Sequence, residues 1–152
     1  TMVEFYANNS SDPGDYLIGE ELSAQPLRDM RGQSEDGASY DCYKSGGFGG
    51  VDPHYSSGPA NHFFYLLAEG SNGSKVCQAS DTRVATGNGS LSGIGKDKAS
   101  AIWYKALVTY MTSGTTYPQA RQATLDAARD IYGAGSAEQN AVNAAWAAIK
   151  VN

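Results

Sequence analysis

A helical hydrophobic period runs through residues 99–111 and indicates the fold class. Apolar side chains recur there at intervals of three and four residues, at Ala99, Ile102, Trp103, Ala106, Leu107, Tyr110 and Met111. This spacing places them along one face of an α-helix, so we expect that face to pack against a hydrophobic core.

Further helix signals surround this segment. Pro59 can occupy the first turn of a helix that Ser57 caps and Gly70 ends. Another helix is predicted from about Pro118 to Tyr132, with Gly133 at its C-terminal stop. The last predicted helix opens with a capping box at Ser136–Gln139, and its apolar positions are Val142, Ala145, Trp146 and Ile149. Residues 1–8 have the pattern of the tail of one more helix.

The first part of the chain has a different character. From Asp12 to about Ser57 it is rich in Gly, Ser, Asp and Pro and shows no sustained period. Loops of this length in a compact domain are usually functional or held by metals and disulfides. We therefore predict a mainly α fold in one domain, a compact bundle of about five helices preceded by a long irregular region, for which a disulfide and calcium are the candidate ties.

The charge balance and the length of the apolar stretches each exclude one class of partner. The chain has 16 acidic and 11 basic residues, a net charge of −5, and no cluster of Lys and Arg, so we expect no nucleic-acid binding. Its apolar stretches are far shorter than the roughly 20 residues that cross a bilayer, so we expect no membrane partner.

The two cysteines, Cys42 and Cys77, lie in loop-like surroundings. In an oxidising compartment they would pair, and closing a loop of about 36 residues would contribute roughly 4 kcal/mol to stability. In the cytosol they would remain free thiols. The 18 glycines, 10 tyrosines and low charged fraction of 18% favour a secreted protein and hence the disulfide.

Acidic residues crowd the N-terminal part, which has no Lys or Arg before Arg28; they are Glu4, Asp12, Asp15, Glu20 and Glu21. Crowded carboxylates favour a bound cation, and calcium prefers several hard oxygen ligands. The alternative is a solvated acidic loop.

The two histidines, His54 and His62, lie eight residues apart, which is not the spacing of two metal ligands on one helix face. A zinc site built from this chain alone is therefore not expected. We interpret His62 as an exposed helix residue.

His54 is expected in a loop just before a helix, and Asp52 is the nearby carboxylate that could orient its ring. A serine hydrolase using Asp52, His54 and a serine is one alternative, but the chain has no G-x-S-x-G motif, and Ser56 and Ser57 are better explained as helix caps. A loop histidine without a role is the other. Arg28, flanked by apolar residues, could bind a carbonyl or carboxylate, or form a surface ion pair.

Several segments in this order resemble the C-terminal half of thermolysin-family zinc metalloendopeptidases, and one run also resembles streptomycete members. The segments are DYLIGE (15–20), LRDM (27–30), HYSSG (54–58) followed by FYLL (64–67), GIGKDK (93–98), IWYKA (102–106), LDAA (125–128) and YG (132–133). The streptomycete run is SSGPANHFFYLL (56–67).

The resemblance implies an N-terminal domain that carries the zinc. In this family an HExxH helix and a Glu on the next helix hold the metal, and neither is present in these 152 residues. We therefore expect residues 1–152 to be the C-terminal domain, with residues 1–8 as the tail of the inter-domain helix. The fragment alone should be inactive, and the complete enzyme should be secreted and extracellular.

The resemblance also assigns roles in the substrate cleft. His54 matches the histidine that donates to the developing oxyanion, and Asp52 the carboxylate that orients it in some members. Arg28 matches the arginine that holds the substrate carbonyl. Leu22 and Leu27 match residues of the primary specificity pocket, which implies cleavage of peptide or protein substrates on the amino side of hydrophobic residues.

Calcium ligands follow from the same match. Glu4, Asp15 and Glu20 would contribute carboxylates and Leu17 its backbone carbonyl; the family's double site uses an acid where this chain has Leu17, so we expect a single ion. The alternative function is a non-enzymatic module that binds a peptide or partner through Leu22, Leu27 and the loop 46–58.

Overall fold

The computed structural model describes residues 1–7 and 9–152. Within these residues the chain forms six α-helices, and the five longer ones agree with the predicted number. Their bounds are α1 Met2–Ala7, α2 Pro53–Ser56, α3 Gly58–Glu69, α4 Lys96–Thr109, α5 Tyr117–Tyr132 and α6 Ala137–Ala148. The predicted helical character of the N-terminal residues is confirmed over residues 2–7, and Asn8 lies outside the described residues; that this helix is the tail of an inter-domain helix stays a prediction.

Helices α3 to α6 build the bundle. Helix α3 packs on α4 and α6, and α5 packs on the same two helices. At the centre the indole of Trp146 stacks on Phe63 with 3.9 Å between the ring centroids. The indole Nε1–H donates a hydrogen bond of 2.7 Å to Oγ1 of Thr124. One fully buried aromatic side chain thereby joins α3, α5 and α6.

The apolar face of α4 is confirmed only in part. Ala99, Ile102 and Ala106 are fully buried, whereas Leu107 and Tyr110 are exposed. Successive helix residues are about 100° apart, so Leu107 points to the flank of the face that Ala106 buries. Helix α4 ends at Thr109, which leaves Tyr110 beyond its last turn.

The structure confirms some of the predicted helix-end and capping residues and contradicts others. Helix α5 ends at Tyr132, and Gly133 follows with a φ of 95°. At α6, Oγ of Ser136 accepts the N–H of Gln139 as predicted, but the Gln139 side chain accepts from Gly135 instead of returning to Ser136. Ser57 provides no side-chain cap for α3. Helix α2 runs directly into α3, so the backbone of Ser57 is already helical, and its Oγ donates to the carbonyl of His54 instead.

The region before α2 is irregular, as predicted, and two short antiparallel strand pairs lie outside the bundle, one in this region and one between α3 and α4. Strand β1 (Leu17–Ile18) pairs with β2 (Arg28–Asp29), and β3 (Lys75–Val76) pairs with β4 (Gly87–Asn88). A disulfide joins Cys42 and Cys77 and confirms the predicted pairing. None of the described helices combines the length and the apolar character needed to cross a membrane.

Candidate functional site

Asp52 and His54 lie together at the start of α2. Asp52 is the N-cap of this short helix, and Pro53 takes its first position, where a missing N–H costs nothing. Oδ1 of Asp52 accepts the backbone N–H of His54 at 2.9 Å and lies 2.7 Å from Nδ1 of its ring. A single carboxylate oxygen therefore caps the helix and orients the imidazole.

This geometry corrects the expected position of His54, which lies in the first turn of a helix and not in a loop. Since a carboxylate is acceptor-only, Nδ1 carries the proton that it shares with Asp52. The pKa of Asp52 is held below its usual value, first by the backbone N–H of His54 and then by its ring. The His54 side chain is 82% exposed, so its ring is open to a substrate.

Arg28 approaches His54 from strand β2. Its Nη2 donates a hydrogen bond of 3.0 Å to the backbone carbonyl of His54. Nη1 lies 3.4 Å from Oδ2 of Asp36, and the guanidinium carbon lies 5.7 Å from the centre of the Tyr55 ring. The structure thus brings Arg28 and His54 together. No sequence pattern indicated the contacts with Asp36 and Tyr55.

Leu22 and Leu27 are both accessible, with 81% and 53% of their surfaces exposed. Leu27 and Arg28 line the same cavity, whose volume is about 520 Å³; Leu22 is not among its lining residues. Glu35 and Asp36 form part of its wall, so this cavity is polar on one side. The hydrophobic specificity pocket stays a prediction.

Three carboxylates converge beside α1. Glu4 of α1, Asp15 before β1 and Glu20 after it each place one oxygen within 4.8 Å of the others. Asp15 also accepts the N–H of Leu17 at 2.7 Å, which orients its carboxylate. Oxygen ligands at this separation suit calcium, whose bonds to oxygen are about 2.3–2.6 Å long. The carbonyl of Leu17 as a ligand stays a prediction.

The described residues do not suit zinc. Their grouping of metal-binding side chains contains carboxylates without a nitrogen or sulfur ligand, whereas zinc sites in proteins are built mostly from Cys and His. Each histidine already has partners, His54 with Asp52 and His62 with neighbours in the interior. We therefore derive no catalytic step through zinc from this chain.

His62 is buried, and the prediction that it is exposed was wrong. Its Nδ1 lies 3.0 Å from the carbonyl of Asp41 and its Nε2 3.0 Å from Oγ of Ser74. A carbonyl can only accept, so Nδ1 carries a proton. Burial lowers the pKa of His62, because it disfavours the charged ring. The continuous apolar run 63–68 was the available signal, since it indicates a helix buried on most sides.

Comparison with known proteins identifies the family. Residues 1–151 match the family model described as the thermolysin metallopeptidase alpha-helical domain. The chain belongs to this family.

Relatives of this thermolysin-family domain include a protein named transglutaminase-activating metalloprotease from Streptomyces mobaraensis, 49% identical over 99% of the chain and 20% of that protein. A bacillolysin from Bacillus cereus is 36% identical, covering 100% of the chain and 25% of that protein. A thermolysin from Bacillus caldolyticus is 35% identical, with 99% and 26% covered. The chain spans about a quarter or less of the curated relatives' length. The Streptomyces relative agrees with the streptomycete resemblance.

Proposed function

We propose that the complete protein is a secreted zinc metalloendopeptidase and that this chain forms one wall of its substrate cleft. Family membership supports the reaction class. The pairing of His54 with Asp52 beside Arg28 is the observation that supports placing the active site here. The zinc ligands are assigned to residues outside this chain.

His54 would donate from Nε2 to the oxygen that gains negative charge as the scissile carbonyl is attacked. Asp52 accepts the N–H of Nδ1 and fixes the orientation of the ring, which leaves Nε2 as the ring atom available to the substrate. Donors that are oriented before the reaction begins stabilise such charge by about 3–4 kcal/mol. Arg28 would bind a substrate carbonyl next to it, since its planar group offers several N–H donors.

Leu22 and Leu27 would bind the side chain that follows the cleaved bond, so we expect cleavage on the amino side of hydrophobic residues. Their exposure makes both available to a peptide. The specificity is tested by digesting a peptide library with the complete protein and mapping the cut positions by mass spectrometry. Cuts distributed without regard to the following residue would refute the assignment.

We also propose that one calcium ion binds Glu4, Asp15 and Glu20. The convergence of their oxygens supports this site, because three carboxylates at such distances repel one another. The ion would connect α1 to the segment around β1 and thereby stiffen the region that leads to Arg28.

The N-terminal zinc-bearing domain is the proposed partner. An apolar groove of about 600 Å³ between α1 and α4 supports an additional domain on this side, and its walls include Val3, Tyr6 and Tyr104. These three side chains are largely exposed in the chain alone. In the complete protein, amide hydrogens around Tyr104 should exchange more slowly than in the 152-residue chain; equal rates would exclude domain packing on this groove.

Replacing His54 with Ala in the complete protein tests the catalytic assignment. Loss of the oxyanion donor should lower kcat by about 100- to 1,000-fold while zinc content stays unchanged. Loss of zinc instead would mean that His54 had been assigned the wrong role. The 152-residue chain alone should neither bind catalytic zinc nor cleave peptides. A complete protein without peptidase activity would favour the non-enzymatic binding module.

A further inference from the structure

Arg28 is held by a carboxylate that comes from a different part of the loop region. Asp36 lies eight residues after Arg28, at the end of a 3₁₀ turn over Gln33–Asp36. Its Oδ2 faces Nη1 of Arg28 at 3.4 Å, while Nη2 of the same guanidinium donates to the carbonyl of His54. Both side chains are about four-fifths buried, so the pair is shielded from most of the solvent.

Asp36 is itself fixed by three hydrogen bonds. Oδ1 accepts the N–H groups of Ala38 at 2.8 Å and Ser39 at 2.7 Å, and Oδ2 accepts Oγ–H of Ser39 at 2.6 Å. Gly37 allows this sharp turn with a φ of 81°. Burial raises the pKa of Asp36, but the bonds from Ser39 and Ala38 and the charge of Arg28 together lower it below its usual value. The carboxylate is therefore charged and held in one orientation.

The guanidinium of Arg28 also contacts an aromatic ring and two backbone carbonyls. Its carbon lies 5.7 Å from the centre of the Tyr55 ring, within the range of a cation–π contact. Two of its five N–H groups donate to the carbonyls of Leu27 and His54. Three remain for Asp36 and for a substrate carbonyl. A long, flexible side chain is thus restricted to one orientation.

We propose that Asp36 is a positioning residue, which holds Arg28 against the carbonyl of His54 and so fixes the two substrate-facing side chains relative to one another. The effect on catalysis rests on the function proposed above. Asp36 touches no reacting atom; it acts through Arg28. A displacement of a positioning group by about 1 Å can lower the rate by up to two orders of magnitude. A carboxylate that fixes the orientation of Arg28 would therefore affect the rate.

The test is Asp36→Asn in the complete protein. This variant keeps the size of the side chain and removes its charge. We expect kcat/KM to fall by about tenfold, mainly through a higher KM because Arg28 binds the substrate carbonyl less well. Asp36→Glu should recover part of the loss. Asp29→Asn is the matched control, because Asp29 pairs with Arg31 and not with Arg28; it should stay within twofold of the unmodified protein.

A spectroscopic measurement separates this inference from the proposed function. The ¹³C shift of the His54 carbonyl should move in Asp36→Asn and in Arg28→Ala, and should not move in Asp29→Asn. An unchanged shift in Asp36→Asn would overturn the inference, as would an unchanged kcat/KM in Asp36→Asn when Arg28→Ala is impaired. If Arg28→Ala is fully active, the substrate role of Arg28 fails, and the carbonyl shift alone still decides the positioning.

Should Asp36→Asn not fold, Ser39→Ala provides a second variant that acts on the same carboxylate. It removes the hydroxyl that donates to Oδ2 of Asp36, the oxygen that faces Arg28. We expect a two- to threefold fall in kcat/KM, because the carboxylate then holds Arg28 less firmly, and a shift of the same carbonyl signal. No change in either quantity would overturn the inference.

Discussion

Removal of the disulfide should destabilise the chain by an amount that follows from the loop it closes. The bridge joins Cys42 and Cys77, which are 35 positions apart in sequence. For a loop of this size, the loss of unfolded-state entropy corresponds to about 4 kcal/mol at 25 °C. The variant Cys42→Ala/Cys77→Ala is preferred to serine because Cys42 is completely buried and an added hydroxyl would lack a partner.

The folded structure should persist in this variant. The N–H of Cys77 donates to the carbonyl of Ala148 at the end of α6, and the N–H of Cys42 donates to the carbonyl of Arg83. These backbone bonds hold both segments without the bridge, so the loss should arise mainly in the unfolded state.

Urea denaturation, followed by far-UV circular dichroism, measures the difference in the free energy of unfolding. We expect a loss of about 4 kcal/mol, and the same loss when the unmodified chain is studied in reducing agent. A loss below about 1 kcal/mol would refute the loop-entropy reasoning. A variant that is unfolded in water would show that the backbone bonds do not suffice.

Three further predictions concern the interior and the acidic cluster. Because the pKa of His62 is lowered in the folded state, the unfolded chain binds more protons below the usual histidine pKa of about 6.5. The contribution of His62 to the free energy of unfolding should therefore be complete above that pH and decrease as the pH drops. In denaturation experiments a His62→Gln variant should show a weaker pH dependence. Thr124→Val should lower the free energy of unfolding by about 1–3 kcal/mol, since it leaves the buried N–H of Trp146 without an acceptor, whereas Thr124→Ser should be nearly neutral by the same denaturation assay. Calcium should raise the melting temperature of the chain, an effect that Glu20→Gln removes and Glu21→Gln keeps; equal responses in the two variants would contradict the assigned site.

Much of the bundle could be predicted because its helices are specified locally. Glycine after Tyr132, proline near the start of α5 and the serine that caps α6 are signals within a few residues of each helix end. For the burial of His62 the apolar run 63–68 was the only local signal, because the partners of its ring, Asp41 and Ser74, come from loops outside the helix. The exposure of Leu107 likewise depends on which side of α4 the neighbouring helices cover.

In the candidate site, too, local contacts could be predicted from the sequence and contacts between distant segments could not. Asp52 and His54 are two residues apart, and their pairing follows from the geometry of a helix N-terminus. Arg28 lies 26 residues from His54, and their contact depends on the path of an irregular loop with strands only two residues long. Family resemblance suggested both residues, but neither periodicity nor spacing could indicate the carboxylate of Asp36 between them.

A crystal structure of the complete protein with a phosphonate peptide would test the proposed role of this cleft wall. The phosphonate oxygens imitate the charged tetrahedral state of the scissile carbonyl. We predict that Nε2 of His54 lies about 2.7–3.1 Å from one of these oxygens, with Asp52 still bonded to Nδ1 and Arg28 donating to a neighbouring carbonyl of the peptide. A bound inhibitor that contacts neither His54 nor Arg28 would contradict the assignment of this surface as part of the active site.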